Sequence, residues 1–339
     1  MESSISTAAL SQIEAGKTRP TGETLNQLAK VLEVPTGFFS VPWPGTAEGS
    51  QRTFFRDLRA TSLRERRRAT VIAVLLNDLL NVIDRHVRLP EVSVPSHPMT
   101  QTAPPEDIEA VAAAVRREWE VGPGPIPHAV RLLERHGIAV ARMSLGHEMV
   151  DGFSVPFNRR PLVLLAEDKS NYVRSRFDAS HELGHLVMHS ESTPGDRIVE
   201  RQAQDFASCF LLPREAALTE LPGKLDSAGW ARLAQMKQYW GISIGALLFR
   251  ARALGVISQA THRNAMKYMS AKGWRTVEPG DREMGKPEAP ILLERALRQM
   301  EIETGMKVDD VFNEAQLPSD DMLLLVRAAV DPRPTIELS

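Results

Sequence analysis

Two histidines four residues apart, with a glutamate beside the first, carry the sharpest chemical signal in this chain: His181-Glu182-Leu183-Gly184-His185. On an α-helix, residues four apart stand on one face, about one turn or roughly 6 Å from each other. Two imidazoles so placed can each reach one ion at about 2.0–2.1 Å, and the neighbouring carboxylate can reach a metal-bound water while staying off the metal. The plainer reading is two polar residues on a helix surface. Phe177, Leu183, Leu186 and Val187 argue against it, because a helix flanked by that much apolar side chain is buried enough to need a reason for two histidines.

A catalytic zinc needs a third protein ligand and an open position for water. His189 lies eight residues beyond His181, a rise of about 12 Å along a straight helix, so all three histidines cannot share one ion. A helix-end position or a supporting contact to a ligand suits His189 better. Glu200 is the better candidate for third ligand. Ala203 and Ala207 lie on nearly its face of the next predicted helix, and small residues there let that helix approach closely. Asp205 points about 140° away from Glu200 and is the weaker choice. On spacing alone, a solvated acid in the first turn of a helix explains Glu200 equally well.

The run from Arg176 to His189, followed by Glu200 to Pro213, resembles the ImmA/IrrE family of zinc-dependent metallopeptidase-like proteins. Members carry Arg-Phe-x-x-Ala-His-Glu-Leu-Gly-His and then Glu-x-x-Ala-x-x-Phe-Ala-x-x-(Leu/Phe)-Leu-x-Pro; Ser180 stands here where alanine is usual. Phe55-Arg56, Val150 to Ser154 and Trp240 to Leu247 look like the larger members as well. The resemblance implies Zn2+ held by His181, His185 and Glu200, with Glu182 as the catalytic residue. It also implies peptide-bond hydrolysis: zinc lowers the pKa of its bound water and polarises the scissile carbonyl, while Glu182 takes the water's proton and passes it to the leaving amine. Tyr172, Tyr239, Tyr268 and His189 all stand open as stabilisers of the oxyanion.

These residues need elements to hold them. Helical spacing predicts a pair of short helices over 1–39 and a long helix from about Thr61 to His86, after the helix-breaking Val41-Pro42-Trp43-Pro44-Gly45. Leu75, Leu79, Val82 and Ile83 give the long helix one apolar face. A Pro-rich stretch follows from Leu89 to Pro105. Helices from Glu106 to Trp119 and from His128 to His136 come next, the second stopped by Gly137. Strand-like runs lie at 138–141, 152–155 and 161–166. After them come the histidine-bearing helix and a helix from about Val199 to Leu212. The expected class is α+β, mostly helical. A partial helix-turn-helix head occupies 1–39, and 40–105 is a linker with the long helix and the Pro-rich stretch. A zincin-like metallopeptidase core with a short sheet spans 106–215, and a helical C-terminal region spans 216–339.

In the head, Ser6 suits an N-cap, Gly16 a C-terminal stop, and Leu25, Leu28, Ala29 and Leu32 an apolar stripe on the second helix. The pattern is similar to the second half of a Cro-like, Xre-family helix-turn-helix. That resemblance implies a DNA-binding set of Ser6, Thr7, Ala8, Ser11, Gln12, Lys17 and Arg19. Thr7, Ala8, Ser11 and Gln12 would face bases, with Lys17 and Arg19 near phosphates. The family's first two helices have no counterpart before Met1, so the true start is expected upstream and DNA binding is expected to be weakened or lost in this form. Residues 1–40 carry three basic against four acidic residues, a poor footprint for phosphates. The stretch from Arg52 to Arg68, with seven arginines against Asp57 and Glu65, could supply phosphate contacts or be a solvated helix face.

Composition bounds the rest. Over 339 residues, Lys+Arg 41 against Asp+Glu 43 gives a net charge of −2, which excludes a chain that wraps nucleic acid along its whole length. The single cysteine, Cys209, excludes disulfide scaffolds and reads as a small buried residue. No apolar run approaches a membrane span and no secretion signal is visible, so a cytoplasmic protein is expected. Two functions from different classes fit. One is a zinc peptidase joined to a DNA-binding head, acting on a protein substrate of repressor or antitoxin type. The other is an Xre-family regulator whose zinc fold is structural or sensory. DNA, a protein substrate and a homodimer are the expected partners, with no membrane.

Overall fold

The computed structural model describes residues 5–40, 63–143, 152–167, 171–189 and 196–318, with side chains from 68 onward in the second segment. Val41 to Gly45, Arg52, Phe55-Arg56, Arg59 and Val150-Asp151 lie outside what is described, as do the side chains of Arg64, Arg66 and Arg67. Among the described residues there are thirteen α-helices, one 3-10 helix and a three-stranded sheet, the mostly helical α+β class expected. The chain divides into two compact units: residues 1–51, 74–89 and 293–339, and residues 52–73 and 90–292.

In the first unit, Ser6 Oγ accepts from the Ala9 amide at 3.2 Å and opens α1 (Thr7–Glu14). Gly16, at φ +67°, turns the chain after it. Thr21 caps α2 (Gly22–Leu32) in the same way, and a 3-10 helix spans Thr36–Ser40. The apolar stripe is only partly used: Ala29 is buried, α1 has no buried residue, and Leu32 is 55% exposed. The long helix α3 (Leu63–His86) was expected to bury one face. Instead Val74, Leu75, Leu76, Leu79, Leu80, Val82 and Ile83 are all buried, so burial wraps around it. Its last turn meets the C-terminal part of the unit, where Arg85 and His86 reach Glu314 at 3.2 and 2.7 Å. Glu314 lies on the last described helix, Val308–Ala315.

The second unit is built around a sheet and two helices. β1 (Ala139–Met143) pairs parallel to β3 (Leu162–Ala166), and β2 (Gly152–Val155) pairs antiparallel on the other side of β3, with Phe153 opposite Leu164. β1 and β3 are buried on both faces and read as continuous apolar runs, whereas edge strand β2 alternates. Helix α4 (Pro105–Glu118) carries proline in its first turn and acids after it, as expected. Helix α5 (Ala129–Arg135) ends at Gly137, which has φ +80° and where a Cβ would lie 2.6 Å from the Glu91 carbonyl, so no side chain fits.

Helix α6 (Tyr172–Met188) packs on β2, β3, α5 and α7 (Arg197–Leu211), and α4 packs on α7. Leu183, Val187, Phe206 and Phe210 are buried to within 1% in that core, each contributing about 1.5–3 kcal/mol. Helices α8 (Arg214–Glu220), α9 (Ser227–Trp240), α10 (Ile244–Ala253) and α11 (Gln259–Ala271) complete the unit. Gly241, at φ +66°, caps α9 in the left-handed conformation. A Cβ there would lie 2.5 Å from Arg176 Nε, so the Trp240-Gly241 turn closes directly on α6.

The Pro-rich stretch is anchored in this unit. The Ser93 amide donates to the His136 carbonyl at 3.1 Å, and the His97 and Met99 amides donate to the carbonyls of Val187 and Met188 at 2.8 and 3.0 Å. The last α6 carbonyls, which have no helical partner of their own, are thereby satisfied.

Candidate metal centre

Asn171 opens α6 by accepting the Arg174 amide at 2.9 Å, and further along the helix presents His181 and His185, one turn apart, on one face. Ser180, where alanine was the expected residue, is fully buried and donates to the Arg176 carbonyl at 2.8 Å, so its hydroxyl is satisfied. Asp196 caps α7 and sets Glu200 in its first turn. Close approach of the two helices rests on Ala203 and Ala207, both fully buried, and on Gly184, whose Cα faces the Phe206 ring.

The result is a tight triad. His181 Nε2 lies 3.0 Å from His185 Nε2, and the Glu200 carboxylate lies 3.3 Å from the first and 3.6 Å from the second. One donor atom from each of the three residues falls within 4.8 Å of the others. Ligands on a tetrahedral zinc at 2.0–2.1 Å stand roughly 3.3 Å apart, so these separations bracket the required value. Burial alone would raise the Glu200 carboxyl, but the two imidazoles hold it well below the usual carboxylate range. Glu200 Oε1 is nonetheless buried without a hydrogen-bond donor. A buried carboxylate oxygen facing two imidazole nitrogens is a donor set that fits a divalent cation, and the residues fit zinc in number and type. Asp205, the weaker candidate, is not in this cluster.

Glu182 is 5% exposed and does not join the triad. It lines a cleft of about 530 Å³ together with His181, His185 and Glu200. Edge strand β2 forms part of the same wall, and a Cβ on Gly152 would stand 2.9 Å from the Leu164 carbonyl and 3.6 Å from Glu182 Oε1. The facing wall includes Gly245 and Ala246 from α10 and Met266 and Met269 from α11, followed by Trp274 and Arg275. The sequence assigns no chemistry to that C-terminal wall; apolar residues there look like ordinary helix packing until the fold turns them toward the cleft.

None of Tyr172, Tyr239, Tyr268 and His189 lines the cleft. Tyr172 lies under the Arg176 guanidinium, 5.4 Å from ring centre to Cζ, and Tyr239 and Tyr268 are 63% and 41% exposed elsewhere. His189 caps the end of α6, buried, with its Nδ1 3.1 Å from His185 Nδ1 and its Nε2 3.1 Å from Gln202 Oε1. Burial and then the neighbouring His185 push its pKa down to about 4, so it is neutral at ordinary pH.

Within the first unit, the helix-turn-helix positions are exposed: Thr7, Ala8, Ser11 and Gln12 along α1, and Lys17 and Arg19 after it. The Ser6 oxygen is engaged as the helix cap, and Gln12 Oε1 accepts from Thr18 Oγ1 at 3.3 Å.

No curated protein matches the chain. Residues 133–252 match the IrrE N-terminal-like domain, a segment that runs from α5 to α10 and contains the triad and Glu182. Residues 2–39 match the helix-turn-helix family and span α1, α2 and most of the 3-10 helix. No helix among the described residues is long and apolar enough to cross a membrane. The chain thus joins an Xre-type helix-turn-helix domain to an IrrE N-terminal-like domain.

Proposed function

We propose that this chain is a zinc-dependent metallopeptidase joined to a DNA-binding head, in which cleavage of a repressor or antitoxin-type protein is coupled to transcriptional control. His181, His185 and Glu200 hold the metal and Glu182 is the proton carrier. The head occupies 1–39, the peptidase core 106–215 and the helical C-terminal region 216–339. In the head, Thr7, Ala8, Ser11 and Gln12 meet base edges, and Lys17 and Arg19 meet phosphates.

The observation that carries this reading is that all three ligands and Glu182 line one cleft. A structural zinc is enclosed by four protein ligands, whereas a hydrolytic site keeps an open position beside a general base. When bound, zinc supplies Lewis acidity, lowering the pKa of a water toward about 7 and polarising a carbonyl. Glu182 removes a proton from the attacking water at its carboxylate and returns it to the departing amine. Its burial against β2 fixes the carboxylate in position, so little reorganisation is needed when the proton moves.

The test is a cleavage assay on candidate repressor and antitoxin proteins with the zinc-bound full chain and its Glu182→Gln variant. Cleavage by the parent and none by the variant, with zinc retained in both, is the expected result. Equal cleavage by the variant removes Glu182 from its role. Zinc binding without cleavage of any candidate, together with tight operator binding, favours a regulator whose zinc domain senses or braces.

A further inference from the structure

His189 and Gln202 have no place in the chemistry above, yet both are buried and both lie on a continuous line of hydrogen bonds that ends at a metal ligand. The line starts at a group with only one capability. The Thr100 backbone carbonyl can only accept, so Gln202 Nε2 donates to it, at 2.8 Å. That choice leaves Gln202 Oε1 facing His189 Nε2 at 3.1 Å. An amide oxygen also only accepts, so His189 carries its proton on Nε2. In a neutral imidazole the other nitrogen is then bare. His189 Nδ1 therefore accepts from His185 Nδ1, 3.1 Å away. His185 thus keeps a proton on Nδ1 and turns Nε2, the atom that would take the metal, toward His181 and Glu200.

We infer that His189 and Gln202 are positioning residues that lock His185 in the tautomer and ring orientation needed to bind zinc through Nε2. The chain of polarity is set from a backbone carbonyl outside the metal helices. The segment supplying that carbonyl is itself fastened to both of them. The His97 and Met99 amides bind the last carbonyls of α6, and Gln101 Nε2 binds the Asp196 cap of α7 at 3.1 Å. Residues 97–101 thus form a strap that holds the ends of the two ligand-bearing helices and aims the relay. The strap precedes residues 133–252, the segment matching the IrrE N-terminal-like domain. Partners that orient a metal-bound histidine typically change metal affinity by 10–100-fold when removed, without touching the metal. The inference rests on the metal being held by His181, His185 and Glu200.

Zinc dissociation constants of the full chain, measured by competition with a chromophoric chelator, test it. Gln202→Met and His189→Leu keep the volume but end the relay, and each should weaken zinc by about 10–100-fold. His189→Asn keeps an acceptor near the Nδ1 position and should restore most of that loss. Nitrogen-15 spectra of the zinc-free chain should show His185 protonated at Nδ1. Parent-like zinc affinity in both Gln202→Met and His189→Leu overturns the inference, as does a His185 that carries no proton at Nδ1. An equal loss in His189→Asn and His189→Leu also overturns it, because that pattern marks packing rather than hydrogen bonding. A parent chain that binds no zinc defeats the metal assignment itself, whereas a zinc-binding parent with unaffected variants defeats only the relay.

Discussion

Gly184 and Phe206 set the spacing of α6 and α7: a methyl group on Gly184 would lie 3.0 Å from Phe206 Cδ1 and 3.2 Å from Cγ. Phe206 is fully buried and cannot swing away. Gly184→Ala must therefore push α7 outward by a few tenths of an ångström, and Glu200 moves with it. Overpacking a core costs about 1–3 kcal/mol, against a gain of up to about 1 kcal/mol from the better helix former. The expected net effect is a loss of about 1 kcal/mol in thermal or denaturant unfolding, with weaker zinc binding. A more stable variant with parent zinc affinity would show that the helices need not approach this closely.

Asp78 gives the first unit a pH dependence. Burial, opposed by a hydrogen bond from Asn77, raises its carboxyl from 3.8 to about 6. The folded chain thus holds a proton between about pH 4 and 6 that the unfolded chain has released, so the group destabilises the fold progressively as pH rises through that window. Asp78→Asn should melt higher than the parent at pH 8, with the difference shrinking toward pH 4. A pH-independent difference would contradict this.

Cys209 should be chemically silent in the native state. It is buried, Arg250 Nη1 donates to its sulfur at 3.1 Å, and burial above all pushes its thiol up to about 12. The thiolate is the reactive form, so a disulfide reagent at pH 8 should label it only as fast as the domain opens. Rapid labelling of the folded chain would show that the helix around Cys209 is more open than described.

Lys17 and Arg19 are exposed beside α1 and carry the proposed phosphate contacts of the head. Lys17→Ala and Arg19→Ala should each weaken DNA binding about equally across sequences and reduce the salt slope by about one. Gln12→Ala should instead relax sequence preference, with the slope unchanged. Salt slopes that do not respond to either cation would remove both from the interface.

The local signals were legible because each has a short-range physical cause. Histidines one turn apart, small residues on the Glu200 face, proline opening α4 and glycine closing α5 act within a few residues of themselves. Long-range features were not. The anchoring of residues 93–101 on α5 and α6 depends on backbone groups, and a backbone carbonyl looks the same beside every side chain. Met266, Met269 and Trp274 read as packing because nothing in their spacing says what they face. Burial around α3 exceeded its apparent face, and the contact of its last turn with Glu314 comes from far away in sequence. Of the residues open as oxyanion stabilisers, Tyr172 lies under the Arg176 guanidinium one turn along the same helix, a contact that its neighbourhood in the sequence does not announce.

The most direct test of the metal assignment is the zinc content and zinc affinity of the purified full chain beside Glu200→Ala and Glu182→Gln. One zinc per chain in the parent, retained in Glu182→Gln and lost or greatly weakened in Glu200→Ala, is the predicted result. A parent that stays metal-free after incubation with zinc, or a Glu200→Ala variant that binds it as tightly as the parent, would contradict the account.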